Sequence, residues 1–267
     1  METVPVPNGP LSGNVLFYSQ PEPLSIELHG KLGVNRSDKP FRYAAQAQAV
    51  PLQVTEFGFA TKSYPIIFAG DDRTPMAVMS IRANENLFVK DGVIEPDIYI
   101  PAFIRRYPFA LANNPAPTGS AAAGEAQMIV CIDRAATAIG ENADVPFFEN
   151  GQPSEFAQGM IEFCSNFETE RQRTETFVNR LKALDLFETK QATFTPRDAN
   201  NNPGQPVMLA DYFAVSEEKL MALPAEVVME LHTTGALRQI YAHLDSMQNW
   251  ERLVARSMIA SPVAANA

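Results

Sequence analysis

The stretch VPLQVTEFGFATKSYPIIFAG, residues 50–70, sets two kinds of backbone end to end. Glu56 to Ser63 read as a short helix, which must stop before Pro65 because a residue preceding proline disfavours the α region. YPIIFAG then reads as a buried strand closed by Gly70. Further on, MAVMSIR (76–82) and NLFVK (86–90) are strand-like, and Asp91-Gly92 is a strong turn signal. Upstream, SIELHGKLGV (25–34) alternates Ile26 and Leu28 with Glu27 and His29, the period of a half-buried strand. The 21 prolines in 267 residues also argue for many loops and short elements, against a helical bundle.

Beyond residue 153 the period changes. Phe156, Met160, Phe163, Phe167, Phe177, Leu181 and Leu184 recur at helical spacing, while ETERQRTET between them is polar all round. That middle fits a solvated span, a kink or a split. QATFTPRDANNNPGQPVMLADYFAV reads as two strands joined by a polar turn. Ser216 followed by two glutamates marks a helix start with a capping hydroxyl, and Pro224 and Gly235 bracket the next helix. A last helix over about 236–256 presents Leu237, Ile240, Tyr241, Leu244, Met247 and Val254 on one stripe. Strands cluster early and helices late, which defines an α+β class: an N-terminal, mostly β lobe packed against a C-terminal helical lobe with one β-hairpin. The expected organisation is an irregular arm over 1–24, one domain over 25–256 (β-rich to about 152, helix-rich from about 153) and a disordered tail over 257–267. NNPAPTGSAAAGEA (113–126) reads as a low-complexity loop and QMIVCID (127–133) as a strand.

A formal net charge of -10 repels phosphate backbones and argues against non-specific nucleic-acid binding. No run approaches the ~18–20 apolar residues that cross a bilayer, and the N-terminus lacks the basic start and apolar core of a secretory signal. The expected setting is the cytoplasm, with export lacking a cleavable signal left open.

Candidate chemistry is sparse. The string YIPAFIRRYPF, 99–109, places Arg105 and Arg106 among aromatics and prolines. Pro101 suits a helix start and Pro108 forbids its continuation, which predicts about two helical turns with Phe103 and Tyr107 at i, i+4. Tyr99, Arg105, Arg106 and Tyr107 are the candidate binding residues, because planar guanidinium forks match carboxylates and phosphates. The alternative is that one arginine ties down loop carbonyls or an acid such as Asp133 while the other is solvated. Adjacent helical residues point about 100° apart, so one small ligand is poorly gripped by both. Three histidines, His29, His232 and His243, show no metal-type spacing. Cys131 and Cys164 fall on apolar element faces, where cysteine behaves as a small hydrophobe. Glycine-rich phosphate loops and GxSxG are absent. Acids such as Glu56, Glu85 and Asp133 could pair for acid–base work, but with 31 Asp and Glu most must be surface charge. No catalytic residue, metal site or cofactor is assigned.

The matching stretches VPLQVTEFGFATKSYPIIFAG, IRANENLFV, YIPAFIRRYPF, CID, LKALDLFE, YFAVSEEKLMALP and ALRQIYAHLDSM occur in that order over roughly 50–248, and the chain thereby resembles the SapC family of bacterial proteins. The resemblance implies a protein of a kind associated with paracrystalline surface layers or labelled a peptide-transport permease. It carries over no catalytic residues, and the permease label conflicts with the lack of a membrane span. The leading expectation is a soluble, non-enzymatic binding or accessory protein that recognises a protein or peptide partner through Tyr99–Phe109, homo-oligomerisation being open. The rivals are an enzyme using Arg105 or Arg106 to hold an anionic substrate with a nearby acid as base, and a surface-layer component.

Overall fold

Helix and strand alternate through the first half of the computed structural model, which describes residues 16–114, 127–195 and 202–260. Several small sheets and a helical C-terminal region make the class α+β, as expected. Residues 1–15 of the expected arm, most of the expected low-complexity loop and the last residues of the expected tail lie outside the described residues. Two compact units result, each built from two separated stretches of chain: the chain up to Pro40 with Arg105–Thr169, and Phe41–Ile104 with the chain from Glu170 onward.

In the first unit the strands Pro21–Pro23, Gln127–Asp133 and Phe109–Asn114 form an antiparallel sheet with Gln127–Asp133 in the middle. A second sheet pairs Leu32–Val34 with Ile139–Glu141 and Val145–Pro146. Gly33 is required there, because a Cβ would lie 2.2 Å from the Val145 carbonyl oxygen. Phe109, Phe147, Leu32, Ile132 and Cys164 fill the core between these elements. Residues 25–29 depart from the expected strand. Ile26–His29 is a turn of helix whose N-cap Ser25 Oγ accepts from the Leu28 N–H. No alternation remains, since Ile26, Glu27 and Leu28 are all exposed, Leu28 at 67%, while His29 is fully buried. His29 goes inward because its ring nitrogens meet Glu22 Oε1 at 2.8 Å and the Ser25 backbone at 3.1 Å, and buried polar groups need such partners.

The long helix Glu155–Ala183 runs unbroken through the polar ETERQRTET. Its exposed side is laced by Arg171–Glu175 and Arg173–Glu170 ion pairs at i, i+4 and i, i+3. Thr174 turns inward, and its hydroxyl accepts the Val54 N–H at 2.9 Å.

The second unit is organised on a five-stranded antiparallel sheet ordered Phe187–Phe194, Val207–Val215, Ile66–Ala69, Thr74–Val78, Ala49–Pro51. Phe187–Phe194 and Val207–Val215 are the expected hairpin, and Ile66–Ala69 ends at Gly70 with φ +67°, as its glycine implied. Asp91 and Gly92 adopt positive φ and turn the small hairpin Val89–Lys90/Val93–Ile94. The stripe over 236–256 proves to be two helices, Ala236–Ser246 and Asn249–Ala260, the second reaching into the expected disordered tail. The break has a use: Asn249 Nδ2 donates to the Thr61 and Tyr64 carbonyls, at 2.7 and 3.1 Å. Trp250, the only tryptophan, lies against Tyr212 at 5.6 Å between ring centroids. Ser216 is the N-cap of Glu217–Met221, yet its hydroxyl makes no capping bond. Its carbonyl accepts the Leu220 N–H instead.

The sheet is narrowest in pairing between Val207–Val215 and Ile66–Ala69, which register at Phe213↔Phe68 alone. Beside that pair the imidazole of His243 stands in for backbone. Its Nε2 accepts the Val215 N–H at 3.0 Å, and its Nδ1 donates to the Ile66 carbonyl at 2.8 Å. The Ile66 N–H is taken by Ser246 Oγ at 2.9 Å. One helix thus satisfies both polar groups of Ile66 on the side where the Val207–Val215 strand no longer pairs with it, its other side being paired with Ala77.

Burial, above all, pushes the His243 pKa down to about 4, against a partial counter-effect from its bond to Ile66. The folded state therefore holds the neutral ring, whereas the unfolded chain protonates below about 6.5. The resulting stability is fully present above pH 6.5 and is lost as pH falls towards 4. In urea titrations at a series of pH values, we expect a loss of roughly 3 kcal/mol across that window. His243→Gln should flatten this part of the profile relative to wild type and cost about 3 kcal/mol at pH 7, since two buried backbone groups lose good partners. A profile of unchanged shape in the variant would refute the assignment.

Candidate functional site

Tyr99–Phe109 is divided between the two units, with Tyr99–Ile104 in the second and Arg105–Phe109 in the first. Its helix, Ala102–Arg105, is one turn long and not two, so Tyr107 lies beyond its end. Pro108 stops the turn, and the Tyr107–Pro108 peptide is cis.

On the second unit's side, the buried carboxylate of Glu56 is the organiser. One oxygen, Oε1, accepts the Tyr99 hydroxyl at 2.8 Å and the Ala102 N–H at 2.7 Å. The other, Oε2, accepts the Gln53 N–H at 2.8 Å and completes a capping box. The Tyr99 carbonyl accepts the Tyr64 hydroxyl at 2.6 Å, and the Tyr99 ring stacks on exposed Phe59, with centroids 5.6 Å apart and planes at 18°. Tyr99 therefore offers the face of an aromatic pair, its hydroxyl being committed to Glu56.

On the first unit's side, Asp133 has the same office. Its Oδ1 accepts the Ser19 and Gln20 N–H groups at 3.2 and 2.7 Å, and its Oδ2 accepts the Tyr107 hydroxyl at 3.0 Å. Burial and the neighbouring Asp133 charge raise the Tyr107 phenol well above its ordinary pKa. Phe17 and Tyr18 meet the Tyr107 ring edge-on, at 6.2 and 5.3 Å. The Tyr18 hydroxyl donates to the Phe109 carbonyl at 2.6 Å.

The arginines part company. Arg106 is 8% exposed, its guanidinium lying 4.3 Å from the centroid of Phe167 and 5.7 Å from that of Tyr18. Arg105 is exposed and stands 5.3 Å over the ring of Phe163. One cation is built into the core and its neighbour faces solvent on an aromatic support, an arrangement that strengthens a guanidinium contact. Phe163 and Phe167, four residues apart on the long helix, are the supporting residues that sequence reading missed. Their helical spacing marked them as core, and only the fold brings them to the arginines.

The remaining candidates serve structure. Glu85 accepts the Ser80 hydroxyl and lies 3.8 Å from Arg82. His29 and His243 are held by the partners described above, and His232 is exposed. Cys131 and Cys164 are free and buried, and burial pushes both thiols up to about 11, away from the thiolate a nucleophile needs. Among the described residues, no three His, Cys, Asp or Glu side chains converge as a metal site would require. A surface depression of about 350 Å³ in the second unit is lined by Asp71, Arg73, Lys182, Asp185, Glu188 and Phe213. Its charges are mixed, and Arg73 is already bound to the Gly70 carbonyl at 2.6 Å and stacked 3.4 Å over Phe213.

Fold and site together define an α+β protein whose buried acids bond to backbone N–H groups and tyrosine hydroxyls. The chain belongs to the SapC family, whose model matches residues 24–253. No curated protein and no solved structure matches it. Among the described residues, no helix is long and apolar enough to cross a membrane.

Replacing Asp133 tests the tie directly. Asp133→Ala strands three donors and should cost about 3 kcal/mol in urea unfolding, whereas Tyr107→Phe should cost about 1 kcal/mol. Equal costs for the two variants would show that the backbone bonds contribute nothing.

Proposed function

We propose that this SapC-family protein is a soluble, non-enzymatic binding protein that takes a protein or peptide partner at the Arg105 surface. The observation that carries the reading is the division of labour between the two arginines. Arg106 is buried against Phe167 and Tyr18, and its neighbour Arg105 lies exposed over Phe163. A guanidinium so supported suits a carboxylate on a partner, in a side chain or at a chain terminus. Tyr107 and Tyr99 belong to the proposal as anchors, with hydroxyls held by Asp133 and Glu56. The commitment of Asp133, Glu56 and both thiols to structure supports binding over catalysis. The cytoplasm is the proposed setting.

The test compares neighbours. Arg105→Glu should leave thermal stability within about 0.5 kcal/mol of wild type, as surface changes do. It should also cut partner recovery in cross-linked pulldowns at least tenfold, roughly the loss of one charge-assisted contact. Arg106→Ala should lower stability by about 3 kcal/mol through lost packing and an opened core. Unchanged recovery with Arg105→Glu would remove the site assignment. Recovery only from a cell-envelope fraction would favour the surface-layer reading.

A further inference from the structure

The two edges of the five-stranded sheet differ. One is Ala49–Pro51, three residues ending in a proline, a blunt edge. The other is Phe187–Phe194, eight residues long, and among the described residues no strand pairs with its outer side.

The direction of its backbone groups follows from the ladder. Ser216 N–H donates to the Leu186 carbonyl at 2.8 Å, so Leu186 bonds inward. In antiparallel pairing every second residue does the same, which makes Glu188 and Lys190 inward-bonding opposite Ala214 and Tyr212. Phe187, Thr189 and Gln191 then direct N–H and C=O outward. In agreement, the Phe187 carbonyl is met from off the ladder by Lys219 Nζ at 3.1 Å. Thr189, Lys190 and Gln191 are exposed.

We propose that this edge pairs with the same edge of a second copy of the chain, antiparallel about a two-fold axis at Thr189. The argument is charge complementarity in a single register. With Thr189 opposite the partner's Thr189, the outward groups form hydrogen-bonded pairs at 187/191, 189/189 and 191/187, the Phe187 carbonyl using its second lone pair beside Lys219 Nζ. Glu188 then faces the partner's Lys190, and Lys190 faces the partner's Glu188. Both fall at non-hydrogen-bonded positions, where opposing side chains come closest and opposite charges attract. A lysine alone on an edge repels a second copy. An acid two residues earlier reverses that outcome under two-fold symmetry, where a surface patch must complement itself. Centring the axis on Gln191 instead would set Lys190 opposite the partner's Ala192 and forfeit both ion pairs. Glu188 and Lys190 lie 3.0 Å apart within each chain, so pairing exchanges two internal contacts, one per copy, for two crossed ones, and the charges act by setting the register.

Sedimentation velocity on the full chain from about 1 to about 200 µM, at low salt, reads the outcome. Wild type should shift from monomer to dimer across that range. Lys190→Glu and Glu188→Lys should each weaken association at least about tenfold, since each sets like charges opposite one another. An equimolar mixture of the two variants should recover the dimer, as should the double swap, which restores complementarity with signs exchanged. Thr189→Pro removes an outward N–H without breaking the inner ladder and should give monomer with an unchanged far-UV spectrum. A wild type monomeric at every concentration overturns the proposal and leaves the edge to a strand from another protein. A dimer indifferent to both charge reversals also overturns it, by placing association on another surface.

Discussion

A neutral imidazole holds the second unit's sheet together where its strands part. Val207–Val215 and Ile66–Ala69 share one register pair, and the space beside it is filled by His243, which accepts from one strand and donates to the other. The ring can do both only when uncharged and in one tautomer. The helix Ala236–Ser246 is thereby fixed in place, Ser246 reaches the Ile66 N–H, and Asn249 secures the carbonyls that end the Phe57–Ala60 turn. The stretch at 50–70 that combines helix and strand is thus stabilised from almost two hundred residues away.

Acidic side chains do comparable work in both units. Glu56 and Asp133 each collect two backbone N–H groups and one tyrosine hydroxyl, and each accepts from the Tyr99–Phe109 string. Carboxylates with three donors apiece are well compensated for burial. In a chain of net charge -10 the acids that matter most to the fold are therefore the least visible ones.

This also explains what the sequence could and could not reveal. Several local signals held: Pro65 and Gly70 bounded their strand, Asp91-Gly92 made its turn, and the hairpin closing on Val215 paired as two strands joined by a polar turn, although the expected Ser216 hydroxyl cap did not form. The signals failed where a distant group decided. Ile26 and Leu28 alternate like a strand, but His29 finds its partners inside, and the segment turns helical to place it there. The continuity of the long helix had a local cause that polarity masked, the i, i+4 and i, i+3 ion pairs of ETERQRTET, and a distant one, Thr174 reaching Val54. The arginines were recognisable as unusual, yet which one is buried depends on Phe167 and Tyr18, about sixty residues later and ninety earlier. A candidate pair thus became one core residue and one surface residue.

The lone tryptophan gives the molecule an asymmetry in its optics. Trp250 lies against Tyr212 in the second unit, while the first unit's ring cluster is made of Phe17, Tyr18 and Tyr107. Indole emission therefore reports on one unit alone, and the loosening of the other is silent in that channel. The tyrosine bands of near-ultraviolet circular dichroism sample both units, Tyr18 and Tyr107 in the first and Tyr43, Tyr64, Tyr99, Tyr212 and Tyr241 in the second, so the indole alone is a label-free address for a single unit.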